Sequence, residues 1–134
     1  MRKLVVFMFL LLGAMLELNA QTYKYYSTDF AIKVKNDYGY WGEWSDWEPS
    51  KCLVIFSIDR SVITIYSEEP QEFDVYDTEA ETVKDDSGES FTLSCVDKNG
   101  LRCYVRFRRQ DNGVLQLYVE YNDVRYVYCL EERN

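Results

Sequence analysis

The sequence predicts an all-β domain: an antiparallel meander of about eight strands that closes on itself as a small barrel. Three observations predict it. Aromatic residues are dense, with 12 Tyr, 7 Phe and 3 Trp in 134 residues, and they sit among β-branched residues in runs where apolar and polar positions alternate. Asn-Gly turn chemistry recurs at hairpin spacing, at Asn99-Gly100 and again at Asn112-Gly113. After residue 20, no stretch of useful length carries the 3.6-residue period of a helix.

The first twenty residues stand apart from this pattern. Arg2 and Lys3 form a short positive region, Leu4 to Leu16 an apolar one, and Leu18-Asn19-Ala20 ends on the small residue that signal peptidase needs. The apolar run is short of the about 20 residues that span a bilayer. Residues 1–20 are therefore expected to be a secretory signal and 21–134 a single exported domain, periplasmic or secreted. No cysteine lies near the cut, so no lipid anchor on the membrane is expected. Removing the leader leaves 13 Lys and Arg against 22 Asp and Glu, a net charge of −9. Such a chain repels nucleic acid and anionic membranes.

The strands follow in order. TYKYYSTDFAIKV, from Thr22, is the first, and Gly39, Gly42, Asp46 and Pro49 make a loop of the segment after it. CLVIFSID and VITIYS read as a hairpin about Arg60-Ser61, with Val54, Phe56 and Ile58 facing Ser67, Ile65 and Ile63. QEFDVYD comes next, then a short ETVK and a turn at Asp85-Asp86-Ser87-Gly88. A three-residue loop Lys98-Asn99-Gly100 pairs Cys95 with Cys103, Leu93 with Val105 and Phe91 with Phe107. A two-residue turn would break that parity and invert one strand. The loop Asp111-Asn112-Gly113 repeats the device, pairing Phe107 with Leu117 and Val105 with Val119. A last turn at Asn122-Asp123 puts Tyr126 and Tyr128 on the same face.

An open meander leaves two edges free to template aggregation, and closing it removes both. The expected outline is a lipocalin-like barrel, with a β-sandwich as the competing architecture. Its inner face should hold Val54, Phe56, Ile58, Ile63, Ile65, Phe91, Leu93, Val105, Phe107, Leu117, Val119, Tyr126 and Tyr128.

Four cysteines in an exported chain read as disulfides. Cys95 and Cys103 sit directly opposite, at a cross-strand separation of about 4.5–5.5 Å that suits a bond, so a Cys95–Cys103 disulfide is expected, two buried thiols being the other outcome. Cys52 and Cys129 would be the second pair, but the register points Cys52 inward and Cys129 outward.

Histidine is absent. That excludes Ser-His-Asp and Cys-His catalysis and histidine-bound zinc or copper. From Glu68 to Glu89 there are ten carboxylates against one lysine, Lys84. The run lacks a D-x-[DN]-x-[DN]-G calcium loop, so it reads as a charged strand edge, and neither metal nor cofactor is expected. A carboxylate hydrolase would need two such groups roughly 5–9.5 Å apart, and nothing in the run fixes a pair. Arg102, Arg106 and Arg108 share an outer strand face with Tyr104, where Glu120 lies opposite, which reads as cross-strand charge pairing.

The segment YWGEWSDWEPSKC, from Tyr40 to Cys52, carries Trp41, Trp44 and Trp47 at three-residue spacing. It resembles the tryptophan ladder of thrombospondin type 1 repeats and, over Trp44 to Glu48, the WSxWS box of cytokine receptors. The first comparison lacks the CSxTCG that follows the ladder, and the second lacks its last serine. In both families arginines interleave with the tryptophans, and between residue 21 and Arg60 this chain has none, so neither family is assigned. Residues Gly42 to Ser67, with GEWSDWEPS followed by an ITIYS hairpin, resemble small secreted β-barrel proteins of gut Bacteroidetes. That resemblance implies export and a barrel, and no activity.

Exposed indoles stack on sugar rings or on partner proteins because their flat faces bury much area at little entropic cost. The expectation is a non-catalytic interaction module that engages a glycan or a partner protein through Trp41, Trp44, Trp47, Tyr38 and Tyr40. A carrier holding a small apolar ligand inside the barrel is the alternative, and a carboxylate hydrolase a distant third. The bland reading of the tryptophans is that one or two simply plug the barrel end or cover its bottom.

Overall fold

The computed structural model describes residues 22–78 and 82–132. The expected leader, residues 1–20, lies outside them, as do Glu79 and Glu81 of the acidic run. Among the described residues there is no helix, and ten strands run in order: β1 (Thr22–Val34), β2 (Glu48–Pro49), β3 (Leu53–Ser57), β4 (Val62–Tyr66), β5 (Gln71–Thr78), β6 (Val83–Asp85), β7 (Gly88–Asp97), β8 (Arg102–Gln110), β9 (Leu115–Glu120) and β10 (Val124–Glu132). Eight of them form the closed antiparallel ring β1-β3-β4-β5-β7-β8-β9-β10, with β10 pairing back onto β1. That seam makes a barrel and not a sandwich. The two short strands are additions, β2 on β1 and β6 on β7.

The glycine hairpins set the register as their turn chemistry requires. Gly100 and Gly113 adopt φ of 84° and 91°, the left-handed region that a residue with a Cβ enters at a cost. Asp97 N–H donates to Leu101 O and Gly100 N–H returns to Asp97 O, so the loop is three residues long. Cys95 then faces Cys103, Leu93 faces Val105 and Phe91 faces Phe107. Across the next hairpin Phe107 faces Leu117 and Val105 faces Val119.

The hairpin between β3 and β4 differs from expectation. Val54 pairs with Ile65 and Phe56 with Ile63, a slip of two residues from the register expected of a two-residue turn. The bend uses four residues, Ile58 to Ser61: Ser61 N–H donates to Ile58 O at 3.2 Å, and Ser61 itself takes φ 55°. Ile58 is thereby buried beneath the bend. Because the slip is even, every side chain keeps its face.

The inner face is filled. All thirteen expected residues are buried except Tyr126, which packs half-buried against the cluster. Phe73 and Tyr25 add bulk, and Phe56 meets Phe107 at 5.3 Å between ring centroids. Gln71 crosses one mouth, donating to Tyr128 Oη at 3.2 Å and accepting from the Tyr126 hydroxyl.

The expected Cys95–Cys103 disulfide is absent, and all four cysteines are free thiols. Counting up the ladder from the hydrogen bond at Asp97 and Leu101, Cys95 and Cys103 form a hydrogen-bonded pair. Side chains there stand at the wide end of the range, about 5.5 Å between Cβ atoms, past the about 3.5–4.5 Å a disulfide takes. Sequence parity placed the two thiols correctly but not their spacing.

A bulge in β1 sets which of its residues face the outer wall. Thr28 is the extra residue between Ser27, which pairs with Leu130, and Asp29, which pairs with Cys129. Before it Tyr23, Tyr25 and Ser27 point inward; after it Phe30 does, packing on Tyr128 at 5.1 Å. Ala31, Lys33 and Lys35 consequently face outward. Ala31 and its partner Val127 are nevertheless buried, because the tryptophan segment lies over this part of the wall.

Candidate binding surface on the outer wall

Residues 36–50 are positioned by main-chain bonds to β1. Asn36 Oδ1 accepts from the N–H groups of Tyr38 and Tyr40 at 2.9 and 3.0 Å, while Asn36 N–H donates to Tyr40 O. With Gly39 at φ 84°, this closes a turn whose tip lifts Tyr38 and Tyr40 into water, 86% and 71% exposed. The chain then returns along the edge of β1. Gly42 N–H donates to Val34 O, and Ser45 bonds both ways with Ile32, at 2.8 Å through its N–H and 2.9 Å through its Oγ. Glu48 and Pro49 pair with Phe30 and Asp29, and Ser50 N–H reaches Thr28 O. The predicted loop is thus a tethered strip that covers the stretch of β1 that β3 leaves bare, which also protects that edge.

The tether divides the five predicted aromatic residues into two groups. Trp41 and Trp44 lie against the wall. Arg125 stands 4.4 Å over the Trp41 ring, with Lys35 at 5.1 Å and Lys33 at 5.6 Å. Lys33 also lies 4.9 Å from Trp44, whose edge meets Tyr118 at 6.1 Å. Arg106 sits 4.1 Å over Tyr118, and Glu120 lies between Arg106 at 3.4 Å and Arg125 at 3.8 Å. Each cation–ring contact contributes about 0.5–1 kcal/mol where water reaches it. Trp47, 50% exposed, and the two tip tyrosines project away from this ladder.

The absence of nearby arginines therefore does not leave the tryptophans without interleaved cations. Lys33 comes from β1, Lys35 from just past its end and Arg125 from β10. The lysines carry a readable signal, since they alternate with Ile32 and Val34 on the strand just before the segment. Arg125 reaches Trp41 only because β10 closes on β1, while Arg106 stacks on Tyr118 instead, and no local spacing announces either.

The charge pairing expected of Glu120 with Arg102 and Arg106 is half realised, since only Arg106 makes it. Arg108 binds Asp85 through two bonds of 2.8 and 3.0 Å, clamping the β6 turn. Arg102 pairs with no carboxylate among the described residues. It lines a cleft of about 410 Å³ with Lys35, Trp41, Tyr76, Tyr104 and Arg125. A second cleft, of about 480 Å³, opens at the mouth beside Glu69, Gln71, Glu72, Asp97 and Tyr121.

Two carboxyl groups among the described residues are held low by their partners. Burial works to raise the Asp97 carboxyl, but hydrogen bonds from the Tyr121 hydroxyl at 2.7 Å and from the N–H groups of Leu101 and Asn99 outweigh it and hold it below the usual range. The Arg108 clamp holds Asp85 lower still. A general acid needs the opposite shift. No three His, Cys, Asp or Glu side chains converge as metal ligands among the described residues. Comparison with family models, with curated proteins and with solved structures finds no match to this chain.

Proposed function

We propose that the protein is an exported, non-catalytic module that binds a glycan on the outer wall of its barrel, through Trp47, Tyr38 and Tyr40, with Trp41 and Trp44 as the floor. The observation that carries this reading is the tether: three exposed rings stand on a strip that bonds from Gly42, Ser45 and Ser50 pin to β1 and that the Asn36 turn closes at its tip. Rings held in place lose little freedom on binding, so stacking on a sugar face yields net affinity. A carrier of apolar ligands would need a vacant interior, and Phe56, Phe73, Phe91 and Phe107 occupy it. A partner protein could use the same rings, and the test separates the two.

That test is isothermal titration of the wild type, Trp47→Ala and Tyr38→Ala against a panel of oligosaccharides. The rings contribute little to folding, so the variants should keep the wild-type melting temperature while Trp47→Ala loses about tenfold or more in affinity. Equal binding by all three proteins contradicts the reading. Failure of every saccharide, with capture of a protein whose binding Trp47→Ala abolishes, replaces the glycan with a protein partner.

A further inference from the structure

Resting on that reading, we propose that the glycan is acidic: the cleft beside Trp41 takes a sugar carboxylate or sulfate, anchored by Arg102, Lys35 and Arg125. The chain as a whole is strongly acidic, at −8. Yet Lys33, Lys35, Arg102, Arg106 and Arg125 gather around one outer wall, where the cleft is lined by a single carboxylate, Glu120. Glu120 is taken up by Arg106 and Arg125. Lys35 and Arg102 have no carboxylate partner among the described residues, and both line the cleft. Arg125 Nε is buried without a hydrogen-bond partner, its nearest acceptor Glu120 Oε2 being 3.8 Å away.

Uncompensated cations at the wall of a concave site are what an anion requires, and a guanidinium matches a carboxylate or sulfate with two parallel bonds. The same cleft supplies platforms for a sugar ring. Tyr76 and Tyr104 line it, both more than half exposed. Its volume lies in the range of small-ligand sites, and Trp41 makes it continuous with the aromatic strip. The acidic remainder of the chain sharpens the choice, since a long polyanion such as nucleic acid would lie across repelling surface, whereas a short acidic saccharide fits within the cationic patch.

Four probes at pH 7 decide the matter: an oligogalacturonate, a heparin oligosaccharide, a neutral cello-oligosaccharide of similar length and single-stranded DNA, each titrated into wild type, Arg102→Gln, Arg102→Glu and Trp47→Ala. Arg102 is exposed and makes no ion pair among the described residues, so its variants should fold, which circular dichroism checks. At least one acidic probe should bind, weakening about tenfold in Arg102→Gln, further in Arg102→Glu, and again between 50 and 500 mM salt as the charges are screened. Acidification from pH 5 to 3 separates the sources: a carboxylate ligand protonates and releases, while a sulfate stays bound. If the neutral probe binds as tightly as either acidic one and only Trp47→Ala weakens it, the acidic site is refuted and the glycan module stands. If no saccharide binds, both fall. Single-stranded DNA binding tighter than both acidic probes, and lost in Arg102→Glu, also refutes the proposal.

Discussion

Burial sets the protonation of the groups that face the barrel interior. Desolvation pushes the Cys103 thiol up to about 11, against an opposing hydrogen bond from Tyr121, and pushes Cys95 higher still. Tyr25, Tyr121 and Tyr126 move the same way, burial being the largest cause for each. A group whose folded pKa lies above its unfolded value keeps its full contribution below the unfolded pKa and loses it as pH rises through the folded one. Unfolded thiols ionise near 9 and unfolded phenols near 10. Stability should therefore hold to about pH 8.5 and fall from pH 9 upward, with Cys103 alone contributing about 2 kcal/mol to the loss by pH 11. The acid side is governed by Asp85 and Asp97, whose lowered values make their contribution disappear as pH drops below about 4. With no histidine in the chain, nothing with an ordinary pKa between 5 and 8 tilts the plateau. Urea midpoints measured from pH 3 to 10.5 check this, and a midpoint unchanged to pH 10.5 would contradict the burial of these groups.

Among the hairpins, the one most sensitive to substitution is that of β6 and β7. A Cβ built on Gly88 would lie 2.4 Å from Arg109 O and 2.9 Å from Gln110 Cα, backbone that no rotamer change can move. Gly88→Ala should cost about 1–3 kcal/mol by forcing β7 away from β8, seen as a lower urea midpoint with an unchanged slope; an unshifted midpoint would show that the strands separate freely. This glycine could be read from the sequence as part of a turn, but its close approach to β8 could not. Legibility among the other elements follows the same line. Asp-Lys-Asn-Gly and Gln-Asp-Asn-Gly wrote the register of β7 to β9 into local turn chemistry, so the inner face followed by parity alone. The β3–β4 bend was misjudged because its left-handed residue is Ser61, which carries no such signature. The bulge at Thr28 was equally silent, and it is what turns Lys33 and Lys35 toward the tryptophans. Trp41, Trp44 and Trp47 were legible as a strip with Lys33 and Lys35 just before it, whereas Arg125, stacked on Trp41, comes from a strand brought near by closure.

For the molecule as a whole, closure of β10 on β1 sets both the packed core and the candidate site. The seam carries Phe30, Tyr126 and Tyr128 to the inside and Lys33 and Arg125 to the outside. Aromatic rings fill the interior, so the proposed site lies on the outer wall and not in the cavity that a barrel of this size can otherwise offer a small ligand. The most direct test of that claim is a nitrogen-15 correlation spectrum of the whole protein, titrated with the saccharide that binds it best. The account predicts shifts confined to residues 36–50 and their neighbours Arg102, Tyr104 and Arg125, with the amides of Phe56, Leu93 and Leu117 unmoved. Shifts centred on those three core residues would place the ligand inside the barrel and contradict it.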